Sequence, residues 1–195
     1  MNRMAGIKVQ SGAFVALAAA LPLAAPAALA SEPGAAAAGA QRGCSAATAP
    51  AVELSAKTLR RSLTCLINKQ RSRRERRELE QAASLKRVAR RHAERMVADE
   101  CLEHTCPGEP PLERRIRKSG YPDRADRWRY ASSTGCAATA RGMLRSWLHS
   151  DFHRENVLEP RFRDLGVGVE QAAPESKGCE SNFATFTVVF GRRAL

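Results

Sequence analysis

Aromatic side chains are scarce in this chain, 5% of 195 residues, with two Trp and two Tyr. Proteins that grip single-stranded nucleic acid stack bases on aromatics beside their cations, so the scarcity argues against that class. Acids are also in short supply, 20 Asp and Glu against 32 Lys and Arg, which leaves a formal net charge of +12. No internal repeat is present, and no cysteine follows the leading apolar run until Cys44. A repeat architecture and a lipoprotein-type anchor are thereby set aside.

What the chain does have at its start is an export signal. Arg3 and Lys8 precede an apolar run from Gly12 to Ala30, and Ala28-Leu29-Ala30 has the small-x-small form of a signal-peptidase site, so residues 1–30 read as a secretory signal peptide. Pro22 and Pro26 interrupt the run and no basic flank closes it, which argues against a permanent membrane span. Losing Arg3 and Lys8 lowers the net charge from +12 to +10, still basic enough to attract anionic polymers and lipid headgroups. Residues 31–57 read as an Ala/Pro-rich linker, and 58–192 as one domain with a core of its own. All six cysteines, Cys44, Cys65, Cys101, Cys106, Cys136 and Cys179, survive cleavage. In an oxidising compartment an even number points to disulfides throughout, and spacing alone does not select the pairing.

Helical spacing fills the first half. Leu59, Leu63, Leu66 and Ile67 form an inward stripe over 58–74, with the arginines facing out. A second helix over 84–100, capped by Ser84, sets Leu85, Val88, Ala89, His92 and Met96 on one face, where His92 reads as a hydrogen-bonded core residue. A Pro- and Gly-containing loop over 101–111 leads to a helix over 112–120, and a fourth helix over 137–150 turns Met143, Leu144 and Trp147 inward. Alternation at Leu165, Val167 and Val169, and again at Phe186, Val188 and Phe190, predicts half-buried strands over 164–172 and 182–191, with 126–133 a further strand candidate. Helices first and strands last give an α+β domain.

Six segments in order then resemble a known family: CLINKQR (65–71), VARRHAERMV (88–97), EHTCPG (103–108), RIRKSGY (115–121), WLHSDFHREN (147–156), and LGVGVEQ (165–171) followed by FTVVFG (186–191). They resemble the motifs of the CAP superfamily, the domain shared by cysteine-rich secretory proteins, antigen 5 and plant pathogenesis-related proteins, and most closely its secreted bacterial branch. The resemblance implies a three-layer α/β/α sandwich with a central antiparallel sheet. It also implies a cleft in which two histidines and two acids bind a divalent metal. By position His104 and His153 match the histidines. Where the family carries its Gly-Glu-Asn segment this chain, aligned on Trp128, has Ala131, Ser132 and Ser133, so Ser132 replaces the glutamate. Ser150 stands at the second acid's place, as it does in many bacterial relatives. A serine hydroxyl is neutral and a poor zinc ligand, so zinc is expected to bind weakly and no cofactor to be required. Asp151 and Glu155 lie near enough in sequence to stand in, although surface or capping roles are their ordinary reading; His149 reads as a surface residue, Trp147 as core, and Arg154 and Asn156 as residues that fix the turn after the fourth helix.

The cysteines leave alternatives open. Cys101 and Cys106 flank His104, and either close a local disulfide, which export favours, or hold zinc together with it. Cys44 with Cys65, and Cys136 with Cys179, are the expected remaining pairs.

The favoured functional reading is a secreted, monomeric, disulfide-stapled domain that binds and does not catalyse, with His104, His153, Ser132 and Asp151 lining the cleft. Charge suggests an anionic cell-wall polymer or lipid headgroup as the extracellular ligand, and the resemblance adds sterols, other lipids and acidic polysaccharides; nucleic acid is not expected. The competing reading is a hydrolase using His104, His153 and a metal or Ser132, against which stand the missing acid to orient an imidazole and the missing Gly-rich turn around Ser132. A structural or adhesive module with a degenerate cleft is the third.

Overall fold

The computed structural model describes residues 44–194, so the signal peptide and the linker up to residue 43 lie outside the described residues. The helices are α1 (Ala56–Ser72), α2 (Ala83–Ala98), α3 (Leu112–Lys118), α4 (Ala140–His149) and α5 (Asp151–Leu158). The strands are β1 (Glu80–Gln81), β2 (Arg127–Ala137), β3 (Asp164–Glu170) and β4 (Ala184–Ala194), in the sheet order β1-β3-β4-β2. Among the described residues no helix is long and apolar enough to cross a membrane.

Period-2 alternation divides the sheet between two helical layers. Val188 and Phe190 of β4 join Leu165, Val167 and Val169 of β3 in a core built with Leu59, Leu63 and Ile67 of α1 and Met143, Leu144 and Trp147 of α4. Val189, one position out of phase, packs instead on Leu85, Val88 and Ala89 of α2 and Ile116 of α3. The result is the α/β/α sandwich. The sheet is mixed rather than wholly antiparallel, because β1 pairs in parallel with β3 while β2 and β3 flank β4 antiparallel. The two residues of β1 enter the edge on the way into α2, and Ala82 N–H, donating to Leu165 O, occupies the cap position expected for Ser84.

Strand β3 is covered on both faces, not on one. A Cβ on Gly166 would lie 2.1 Å from the Leu85 backbone, and one on Gly168 would lie 2.2 Å from that of Ala89. Glycine every second residue lets the α2 backbone lie directly on the strand, a contact no side chain permits.

Three further features depart from the sequence reading. The segment before α1, expected to be linker, is packed: Ala47 and Ala51 are fully buried in the α1/α4 core, and the expected Cys44–Cys65 disulfide ties its start to α1. Arg71, expected to face out with its neighbours, is fully buried, and it donates to the carbonyls of Arg77, Val157 and Glu159, tying the end of α1 to the end of α5. Burial holds its guanidinium at about 10. The third is α5 itself, where a turn was expected: Ser150 is extended between α4 and α5, so the chain resumes helix directly and carries His153 on it.

Candidate functional site

The site lies at β2, an edge strand of the sheet, where the two helical layers approach it from opposite sides. Residues 127–137 are strand throughout, longer than the eight-residue candidate, and Ser132 pairs with Val189. Cross-strand partners share a face, so the Ser132 side chain points to the α2/α3 layer. Its hydroxyl lies 2.9 Å from His104 Nδ1, in the loop that leaves α2. On the other side, Asn156 of α5 donates from Nδ2 to Ser132 O at 3.2 Å, which docks the helix bearing His153 against the same residue.

This brings the imidazoles of His104 and His153 together, ring centroids 6.2 Å apart and tilted by 32°. His153 Nδ1 faces Ser150 Oγ at 3.1 Å. Each Nδ1 therefore has a serine hydroxyl beside it, and among the described residues neither Nε2 has a partner. Dehydration of its ring, and next the nearby Arg115 guanidinium, hold His104 below the ordinary imidazole range. Burial and the neighbouring His104 do the same to His153. Both rings are thus neutral near pH 7.

Phe152 and Arg115 lie inside family-like segments but carry no role legible from sequence alone. Phe152 is 60% exposed and sets its ring edge-on to both imidazoles, at centroid distances of 6.1 and 5.5 Å. Its signal was a large apolar residue between two polar ones, Asp151 and His153, with no apolar residue three or four positions along the helix. Arg115 donates from Nη2 to His104 O at 2.6 Å and from Nη1 to Glu109 Oε1 at 2.8 Å. Glu109 in turn meets His92, whose two ring nitrogens face Glu109 and the Glu103 carbonyl inside the protein. His92 is therefore a hydrogen-bonded core residue, and nothing in local sequence marked Glu109 as its partner.

Asp151 is placed in solvent, its side chain 84% exposed and ion-paired with Arg154 at 2.6 Å. His149 bonds the Arg145 carbonyl of its own helix. The cysteines pair as Cys44–Cys65, Cys101–Cys106 and Cys136–Cys179, so the sulfurs flanking His104 are in a disulfide and are not zinc ligands. Among the described residues, the one group of three or more metal-ligating side chains with atoms within 4.8 Å of each other is His92, Cys106 and Glu109, and Cys106 there is oxidised. Two imidazoles with neutral serines behind them supply half of a tetrahedral zinc site and none of its negative charge, so this donor set does not fit a resident metal. Two cavities, of about 580 and 340 Å³, are lined by neither imidazole.

Comparison with solved structures gives the same fold. An outer surface protein of Borrelia burgdorferi is 21% identical with TM-score 0.58, covering 72% of this chain and 96% of its own. An extracellular SCP-domain protein of Bacillus anthracis is 22% identical, TM-score 0.54, covering 72% and 44%. A cysteine-rich secretory protein of Staphylococcus aureus is 16% identical, TM-score 0.51, covering 71% and 40%. The chain thus spans less than half the length of the latter two. A search of curated proteins by sequence finds no match. The model of the cysteine-rich secretory protein family matches residues 65–190, through both histidines and all four strands but for the C-terminal end of β4. On that match and this fold, the chain belongs to the cysteine-rich secretory protein (CAP) family.

Proposed function

We propose that this is an exported, monomeric binding domain that takes the polar end of an amphipathic extracellular ligand, a lipid or sterol, at the cleft of His104, His153 and Phe152. The observation that carries the reading is the paired imidazoles, each with a serine on Nδ1 and a free Nε2, beside an exposed phenyl ring. Neutral imidazoles offer hydrogen bonds without charge, and the phenyl offers apolar contact, which together suit a hydroxyl or ester group on a hydrocarbon body. Export and the disulfides support an extracellular setting. A divalent ion is on this reading a weak and dispensable occupant, and Asp151, held by Arg154, takes no part.

A hydrolase is the second reading, favoured by the 2.9 Å contact between Ser132 and His104. Against it, Ser132 lies mid-strand and only 7% exposed, and among the described residues no carboxylate orients the imidazole.

Titration with a fluorescent sterol and a long-chain alcohol separates the readings. Binding should weaken at least about tenfold, or 1.4 kcal/mol, in His104→Ala, His153→Ala and Phe152→Ala, and by less than that in Ser132→Ala, which removes only the Nδ1 partner of His104. Unaltered binding in the histidine variants would sink the proposal. Ester hydrolysis abolished by Ser132→Ala would establish the alternative.

A further inference from the structure

The cavity of about 580 Å³ lies between α2 and α3 and is walled by cations: Arg87, Arg91 and Arg95 on one side, Arg115 and Lys118 on the other. The three α2 arginines recur every fourth residue, so they form a row along one helix edge with a repeat of about 6 Å. Five cations face two acids, Glu94 and Glu109, a local excess of three. Both acids are already engaged, Glu94 by Arg90 at 2.7 Å and Glu109 by Arg115 and His92. Of the cations, Arg95 is paired with Asp99 and Arg115 with Glu109, whereas Arg87 meets only the Ser119 carbonyl, and Arg91 and Lys118 are exposed with no hydrogen-bond or ion-pair partner among the described residues.

We propose that this groove binds a linear polyanion whose charges are phosphodiesters, laid along the α2 arginine row. Guanidinium forks match phosphate oxygens two at a time, and three of them in line match a chain of anions better than a single one. No aromatic lines the groove, so nucleic-acid bases would find nothing to stack on, and a sugar- or polyol-phosphate backbone is the better fit. Its concave form, walled by two helices, suits a chain rather than a flat bilayer. The proposal does not rest on the imidazole cleft, and either reading stands if the other fails.

The test uses the full chain and a defined poly(glycerol phosphate), with affinity measured by calorimetry at several salt concentrations. With three unpaired cations engaged, affinity should fall roughly ten- to twentyfold between about 50 and 200 mM salt. Arg91→Glu with Lys118→Glu breaks no hydrogen bond or ion pair, and should weaken binding by about tenfold or more and flatten the salt slope by about 2. Lys57→Glu with Arg61→Glu, an equal charge change on α1, should cost less than about threefold, and circular dichroism should report both variants folded. The proposal is overturned if the two variants weaken binding equally, since the attraction would then belong to net charge alone. It is equally overturned if inorganic phosphate competes as well as polymer at matched charge, or if a single-stranded oligonucleotide or phosphatidylglycerol vesicles bind more tightly than the polymer.

Discussion

Ser132 joins three parts of the protein: its hydroxyl meets His104, its carbonyl receives Asn156 from α5, and its backbone sits in the pairing of β2 with β4. A longer acidic side chain at this point would supply the charge that the two imidazoles lack. Ser132→Glu should therefore tighten zinc binding by about tenfold or more, measured by competition with a chromogenic chelator, and the gain should vanish in His153→Ala. Unchanged zinc affinity would mean that the rings are not aimed at a common point. The identities of His104, Ser132 and His153 were legible as motif positions, because a loop motif and a helix-end motif each fix a local offset. The Ser132 hydroxyl on His104 Nδ1 and the edge-on Phe152 were not, since they depend on how the loop after α2 and helix α5 dock against β2, contacts between residues 28 and 24 apart in sequence.

At the scale of elements, the loop bearing His104 is closed by the disulfide across five residues, whereas Cys136–Cys179 closes a span of 43. By chain entropy the shorter crosslink contributes about 2 kcal/mol and the longer about 4. Replacing Cys101 and Cys106 with Ser should thus cost about half as much stability in urea unfolding as replacing Cys136 and Cys179, while weakening ligand binding at the cleft more; the reverse order in binding would show that this crosslink does not set the position of His104. The α2–β3 contact has its own signature. Gly168→Ala should destabilise by about 3 kcal/mol, because the added methyl meets helix backbone that cannot rotate away. A cost under about 1 kcal/mol would mean that α2 can lift off the strand. Helix positions were readable because the apolar stripes of α1 and α2 carry the 3.6-residue period on their own. Strand β1 was not readable at two residues, and α5 was obscured because Ser150 separates it from α4 by a single extended residue. Burial of Arg71 was also hidden, since a buried guanidinium is recognised only by the carbonyls that surround it.

For the molecule as a whole, pH-dependence follows from the imidazoles. His104 and His153 have pKa values below the unfolded value of about 6.5, each by dehydration first. His92 is lowered as well by burial and by Arg115, against the opposing pull of Glu109. Below about pH 6.5 the unfolded chain therefore binds more protons than the native one. The stability these groups contribute is complete above that pH and is lost as pH falls through their native values. The urea midpoint should drop between pH 7.5 and 5, and drop less in a variant with His104 and His153 both replaced by Gln. A midpoint that rises on acidification would show these rings to be cationic in the native state, which would also remove the basis for an uncharged polar ligand at the cleft.

The glycines of β3 have one more consequence. With α2 backbone against one face and the α1 core against the other, neither face of this strand offers water a route inward by local fluctuation. The peptide hydrogens it donates to β4 should therefore exchange with heavy water only when the entire domain opens, and their rates should report global unfolding directly, behaving as an internal clock against which every looser part of the protein can be timed.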